Sequence, residues 1–201
     1  MATTVSKLAI YNMALGFVGT RTIASENEHT PEAVQCELYW DRARRAALRD
    51  FPYAFAQQRF RLAEKPMPDE YQPLWLHAYG VPAQSLKIVR VEDEQGRKRV
   101  DFALCQDRNG VLLLLCNQEN AMAMCTVDVE NVQLWDELFV VAMAYRLAMF
   151  IAVPLLKNNS QKMQELAQLY QAVLPSTEGH SANEQRDRQR LDPWLVARGV
   201  W

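Results

Sequence analysis

The chain has 201 residues, of which 49% are hydrophobic, enough for one substantial core with room for a small second domain. Its 22 Lys and Arg residues are balanced by 24 Asp and Glu residues, and no segment is basic enough to predict a nucleic-acid groove. The four cysteines form no C-x-x-C pair, so we expect neither a metal nor a cofactor.

The first quarter of the chain predicts two helices that lead into a strand. The first helix shows apolar residues at helical spacing and ends at Gly19. Thr30 caps the second helix, Pro31 takes its first position, and Pro52 ends it. One side of this helix is charged, and its arginines either form local ion pairs or meet an acidic face of another subunit. The arginines predicted for such a contact are Arg42, Arg45 and Arg49.

The middle of the chain changes to a β-type pattern. A proline-rich connector with several aromatic residues precedes it, and suits either an interaction loop or a lid over the edge of a sheet. Asn109-Gly110 predicts a hairpin with a type I′ turn, because that turn needs positive φ at both positions. The simplest interpretation is an antiparallel meander inserted between two helical halves. The predicted strand runs are 85–91, 99–104, 111–115 and 122–129.

The helical pattern returns at Trp135. The apolar run 138–153 is shorter than the roughly 20 residues that a membrane span requires. We therefore predict a buried central helix and no membrane span. Arg146 is expected either to pair with a carboxylate or to cap carbonyl groups of a neighbouring element. A last helix is predicted to begin at Asn159 or Ser160 and to end at Pro175, followed by a polar tail that closes with two tryptophans.

Several segments spread over nearly the whole chain carry a family resemblance: ALGFVG, IASENE, AVQCELYWDRARRAALRDFPYAFA, YGVPAQSL and PWLVARG. They resemble the head-to-tail adaptors of short-tailed bacteriophages, of the tail tubular protein A type. The resemblance implies a structural virion protein at the head-tail junction, assembled in the host cytoplasm. It also implies a ring, commonly of twelve copies, which joins the portal protein to the tail nozzle of the tail tubular protein B type. DNA would pass through this ring without specific binding.

The C-terminal end is the predicted portal-binding segment, because Trp and Arg often anchor interfaces and the resemblance favours a partner. The alternative is that this end folds back on the protein's own bundle. The residues predicted to bind the portal are Leu191, Pro193, Trp194, Leu195, Arg198 and Trp201.

No catalytic motif is present, since the chain lacks a phosphate-binding glycine loop, a G-x-S-x-G elbow and an H-E-x-x-H helix. We predict no catalytic residue and no enzymatic activity. The predicted fold is α+β but mainly α: a helical bundle with an inserted small antiparallel sheet and an extended C-terminal tail. The expected divisions are 1–54, 55–130, 131–175 and 176–201. The alternative function is a mostly helical phage regulatory protein that binds a small molecule or nucleic acid.

Overall fold

A computed structural model describes residues 5–72, 74–156 and 159–189, of which 175–189 are described as helix backbone only. The chain divides into two compact units. The helical unit comprises Met1–Phe55 and Val129–Trp201, and the β unit comprises Ala56–Asp128.

Within the residues that the structure describes, the helical unit contains four α-helices whose first turns are capped by side chains. They are α1 (Lys7–Val18), α2 (Pro31–Asp50), α3 (Glu137–Leu155) and α4 (Ser160–Gln189). The Thr30 hydroxyl accepts a hydrogen bond from the Ala33 N–H, which confirms the predicted cap of α2. Asp136 caps α3 through two backbone N–H groups, and the Asn159 side chain accepts from the Lys162 N–H at the start of α4. Gly19, at φ 85°, ends α1 in the left-handed conformation.

Helix α3 is the central helix of this unit. It packs against α1, α2 and α4, and Leu147 and Ile151 on it are fully buried. Within the described part of the chain, α3 is the one helix that length and composition would allow to cross a membrane; half of its apolar stretch is buried inside the protein. Arg146 on α3 lies 3.6 Å from the Asp50 carboxylate, so the predicted carboxylate partner is confirmed.

The β unit consists of two four-stranded antiparallel sheets. Sheet A has the strand order β1-β8-β4-β5, and sheet B has the order β2-β3-β7-β6. The strands are β1 (Gln57–Arg61), β2 (Ala63–Lys65), β3 (His77–Gly80), β4 (Ser85–Glu92), β5 (Arg99–Val100), β6 (Phe102–Gln106), β7 (Leu112–Cys116) and β8 (Met122–Val127).

The two sheets are joined at both edges by the chain itself. β1 continues into β2 across Leu62, and β5 continues into β6 across Asp101, so each edge strand of sheet A runs into an edge strand of sheet B. Side chains from both sheets then enclose one apolar core. Among its buried members are Tyr79, Leu114, Val91 and Cys125.

The prediction of a mainly helical protein with one small sheet is wrong. The structure is 45% helix and 23% strand, and its strands form two sheets. The missed strands are β2 and β3, which pair with each other. β2 is exposed at all three positions and β3 lies in the aromatic segment expected to be a loop, so neither shows the alternation by which a strand is recognised.

Two local predictions are also wrong. Of Asn109 and Gly110, only Gly110 has positive φ (77°), and Asp107 pairs with Val111 across a three-residue loop rather than a type I′ turn. The Asp107 carboxylate accepts hydrogen bonds from the backbone N–H groups of Asn109 and Val111, which favours this longer loop.

Helix α4 continues through position 175 to Gln189, so residues 176–189 are helical rather than extended. A proline removes a single hydrogen bond of the helix ladder, and the turns on either side of it maintain the helix here.

Candidate functional site

Helix α2 presents an exposed row of side chains along one side, which we call the α2 face. Its members are separated by three or four positions and therefore lie on the same side of the helix. The row is apolar at its N-terminal end, where Val34 is 50% exposed and Leu38 is 61% exposed, and basic at its C-terminal end. The α2 face comprises Val34, Leu38, Arg42, Arg45 and Arg49.

A groove of about 430 Å³ lies beside the apolar end of the α2 face. Val34 and Leu38 line it, and Glu26, Glu28 and Glu37 contribute acidic groups to it. The Glu28 carboxylate also accepts hydrogen bonds from two backbone N–H groups of the loop between α1 and α2. The groove therefore combines an apolar wall with acidic groups from α2 and from the loop that precedes it.

Glu37 joins α1 to α2 through a charged network. Its carboxylate accepts hydrogen bonds from the Lys7 ammonium at 2.6 Å and from the Tyr11 hydroxyl at 2.7 Å. The Lys7 ammonium also lies 5.4 Å from the ring centroids of Tyr11 and Trp40. The Lys7 hydrogen bond, followed by that from Tyr11, lowers the pKa of the Glu37 carboxyl.

This lowered pKa predicts an acid-dependent loss of stability. The Glu37 carboxylate stabilises the fold above its unfolded pKa of about 4.3, and this contribution is lost as the pH falls through the lower folded pKa. Because the side chain is 61% exposed, we expect Glu37→Gln to lower the free energy of unfolding by at most about 1 kcal/mol at pH 7. Urea unfolding should show the variant and the wild type converging near pH 2 to 3. The control is Glu26→Gln, and a difference between wild type and Glu37→Gln that persists at low pH would contradict the assignment.

The structure places the three predicted arginines together on the α2 face. Arg42, Arg45 and Arg49 are all exposed. Their neighbour Arg44 is instead buried, with ion pairs to Asp41 at 2.7 Å and Glu130 at 3.5 Å. The predicted interface thus lies on a continuous exposed surface, and its contact with another subunit stays a prediction.

The sequence interpretation missed the apolar half of this surface. Val34 and Leu38 are four residues apart on the side of α2 opposite to buried positions such as Cys36 and Ala43. The available signal was that Val34 and Leu38 fall at helical spacing in line with Arg42 and Arg45. Hydrophobic residues on the same side of a helix as a row of charges do not belong to its buried side. The predicted portal-binding residues from Leu191 to Trp201 lie outside the described residues.

The proline-rich connector of the β unit has properties of both predicted alternatives. As a lid, it is attached beside sheet B by an ion pair of 2.9 Å from Glu70 to Arg108, which lies in the loop between β6 and β7. It also displays Leu74 and Leu76, which are 76% and 68% exposed. The Asn117 side chain holds this leucine pair, accepting from the Leu76 N–H and donating to the Leu74 carbonyl. An exposed apolar pair fixed in this way is typical of a contact surface.

Sheet A carries a second charged surface that the linear sequence did not indicate. Positions on its outer side are occupied by basic residues from three different strands, β1, β4 and β5. The basic residues on this side are Arg59, Arg61, Lys87, Arg90 and Arg99. They are separated by up to forty positions in the chain, so no single segment is strongly basic.

The described residues show no arrangement for metal or thiol chemistry. Within 5–72, 74–156 and 159–174 no group of three or more His, Cys, Asp or Glu side chains could hold a metal ion. The four cysteines are free, and burial raises the pKa of Cys36 to about 12 and of Cys125 to about 11. These two groups are therefore neutral thiols at physiological pH, which are poor nucleophiles.

Comparisons with known proteins do not assign the chain to a family. No protein-family model matches it, and no curated protein matches it either.

Proposed function

We propose that the protein is a structural head-to-tail adaptor of a short-tailed bacteriophage, which forms a ring between the portal and the tail nozzle. The observation that carries this proposal is the α2 face, a long exposed row with an apolar end and a basic end on a helix whose other side is core. The spread of segments that resemble the adaptor family supports it independently.

A closed ring requires two different surfaces on each subunit, because neighbouring subunits meet head to tail. The α2 face is one such surface. The exposed side of α4 is the second that we propose, and it carries Gln164, Glu165, Gln168 and Leu169, of which Leu169 is 40% exposed. Glu165, which also pairs with Lys162 at 3.0 Å, and two Gln side chains offer hydrogen-bond acceptors to the arginines of the α2 face, and Leu169 offers an apolar contact to Leu38.

The division into two units fits this role. In the proposal, the helical unit forms the ring through α2 and α4, the C-terminal residues bind the portal, and the β unit meets the tail nozzle. The fixed leucine pair Leu74 and Leu76 is the apolar contact that we assign to the nozzle. DNA passes through the ring, and the protein acts mechanically rather than catalytically.

The decisive experiment mixes the full chain with the portal protein encoded in the same genome. Size-exclusion chromatography with light scattering is expected to show a small species for the free protein and a portal-bound ring after mixing. Negative-stain images should show one added layer of density on the portal. A protein that stays small and never joins portal rings would contradict the adaptor function and favour the regulatory alternative.

The portal contact has a separate test in the C-terminal residues. We expect the double change Trp194→Ala and Trp201→Ala to abolish co-elution with the portal, because aromatic anchors dominate the energy of interfaces. The unfolding midpoint should stay within about 2 °C of wild type, which corresponds to less than about 1 kcal/mol in a chain of this size. Leu134→Ala, at a position 59% exposed, is the control. A clearly lowered midpoint would show that this end packs on the protein's own bundle.

A further inference from the structure

The outer side of sheet A is a strongly basic surface on a protein whose net charge is −2. We call it the basic face and define it by the outward positions of the four strands. These positions are Gln57, Arg59, Arg61, Lys87, Arg90, Glu92, Arg99, Met122, Met124 and Thr126. Five basic residues thus share this face with a single acidic residue.

The register of the sheet establishes which side these residues occupy. Arg59 and Arg90 both lie opposite Met124 on the central strand β8, and residues directly opposite each other share a face of the sheet. The intervening residues Ala123 and Cys125 point the other way, into the core.

Irregularities in β4 bring two of the basic residues to the same side. Lys87 and Arg90 are three positions apart and would face opposite sides of a regular strand. The pairing of β4 with β8 shifts by one residue between Ser85 and Lys87 and again between Ile88 and Arg90. As a result, Ile88 and Val91 face the core while Lys87 and Arg90 both point outward.

The one carboxylate on the basic face organises the arginines around it. Glu92 is only 7% exposed and is paired with Arg90 and, at 3.7 Å, with Arg59. Arg59 also donates hydrogen bonds to the carbonyl oxygens of Asp93 and Glu94, at 3.1 and 2.8 Å. The buried Glu92 therefore orients the two guanidinium groups. Arg61 pairs with the Glu94 carboxylate of the adjoining turn at 3.5 Å, so the five basic groups still outnumber the two carboxylates that contact them.

The chemistry of the face selects a polyanion with regularly spaced charges. Neighbouring strands are about 4.8 Å apart and alternate residues about 6.8 Å apart, so the cations form a two-dimensional array rather than a pocket for one small anion. None of the outward positions of sheet A carries an aromatic side chain on which an unpaired base could stack. These features favour contact with a phosphate backbone over recognition of bases.

We propose that the basic face of sheet A binds the phosphate backbone of duplex DNA without reading its sequence. The contact is weak and depends on salt, since its free energy comes from the release of counterions. It does not rest on ring formation, because all the residues involved belong to the β unit of one chain.

The test measures binding of the full chain to a fluorescein-labelled 30-base-pair duplex by fluorescence anisotropy, between 25 and 200 mM NaCl. The variant replaces three exposed residues of the face, Arg61→Gln, Lys87→Gln and Arg99→Gln. The matched control removes the same charge elsewhere, through Arg21→Gln, Lys65→Gln and Arg108→Gln, which all lie outside sheet A.

We expect the face variant to bind at least tenfold more weakly at 50 mM salt, and its slope of log affinity against log salt to be lower by about 2.7, since each lost phosphate contact removes about 0.9. The control should stay within about threefold of wild type. If circular dichroism shows that the triple variant is unfolded, Arg99→Glu at the edge strand replaces it, with an expected loss of at least threefold.

Four results would overturn the proposal. The first is an equal loss of duplex affinity in the face variant and the control, and the second is no duplex binding by the wild type at 25 mM salt. The third is tighter binding of a single-stranded oligonucleotide than of the duplex. The fourth is binding of phosphatidylglycerol vesicles through the same residues without duplex binding. None of them changes the expected outcome of the portal experiment, which depends on residues of the helical unit.

Discussion

Replacing Phe139 by Ala is expected to lower the free energy of unfolding by about 3 to 5 kcal/mol. Phe139 is fully buried in the first turn of α3. Its ring lies 4.7 Å from the ring centroid of Tyr53, 5.1 Å from that of Phe55 and 4.9 Å from that of Trp135. Truncation removes all three contacts and leaves a cavity that neighbouring aromatic rings cannot fill, because their own positions are fixed by packing.

Chemical denaturation followed by tryptophan fluorescence and circular dichroism measures this loss. Phe139→Leu, which keeps most of the apolar volume, should cost clearly less than Phe139→Ala. Leu134→Ala, at an exposed position nearby in the chain, is the control and should stay within about 0.5 kcal/mol of wild type. A loss below about 1 kcal/mol in Phe139→Ala would show that this aromatic cluster is not part of the core.

The second large effect is expected at the α2 face. The double change Leu38→Asp and Arg42→Glu replaces an exposed apolar residue and an exposed cation one helical turn apart by two carboxylates. If this face meets the next subunit, the change removes apolar contact area and places like charge against Glu165 of the proposed α4 surface. We expect at least about a hundredfold loss of apparent affinity in portal-templated ring assembly.

The same chemical change on the β unit is the matched control. Leu76→Asp with Arg108→Glu alters a leucine that is 68% exposed and an arginine whose side chain is 78% exposed. Light scattering of portal mixtures should show rings with this control and none with the α2 variant, while both keep the wild-type unfolding midpoint within about 2 °C. Assembly that the α2 variant leaves intact would exclude the α2 face as the contact between subunits.

Helix boundaries were predictable because they depend on neighbours in the chain. The predicted caps Thr30 and Asn159 each accept a hydrogen bond from a backbone N–H only three residues away. The central position of α3 was predictable for a similar reason, since a helix that is apolar on all sides must be surrounded by protein or lipid. A partner for Arg146, either a carboxylate or backbone carbonyls, was predicted from the cost of an unpaired charge. That the partner is the Asp50 carboxylate required the packing of α2 on α3.

The extent of the β structure could not be predicted in the same way. β2 has three exposed residues and pairs with β3, which lies more than ten positions away, so its stability comes from a partner strand rather than from its own pattern. The continuation of β1 into β2 and of β5 into β6 likewise depends on both sheets being present.

By itself, the sequence determined the ends of α1 and α2, the starts of α2 and α4, the apolar character of α3 and the existence of most strands, since each follows from interactions within a few residues or from a period along the chain. The end of α4 was not among them, because this helix continues through position 175. Only the tertiary structure decided that the strands form two sheets and that Arg59, Lys87 and Arg99 share one surface. The physical reason is register. Long-range strand pairing and the irregularities of β4 decide which side chains face the solvent together. The net charge of −2 gives no indication that basic side chains from three strands lie on one side of a sheet.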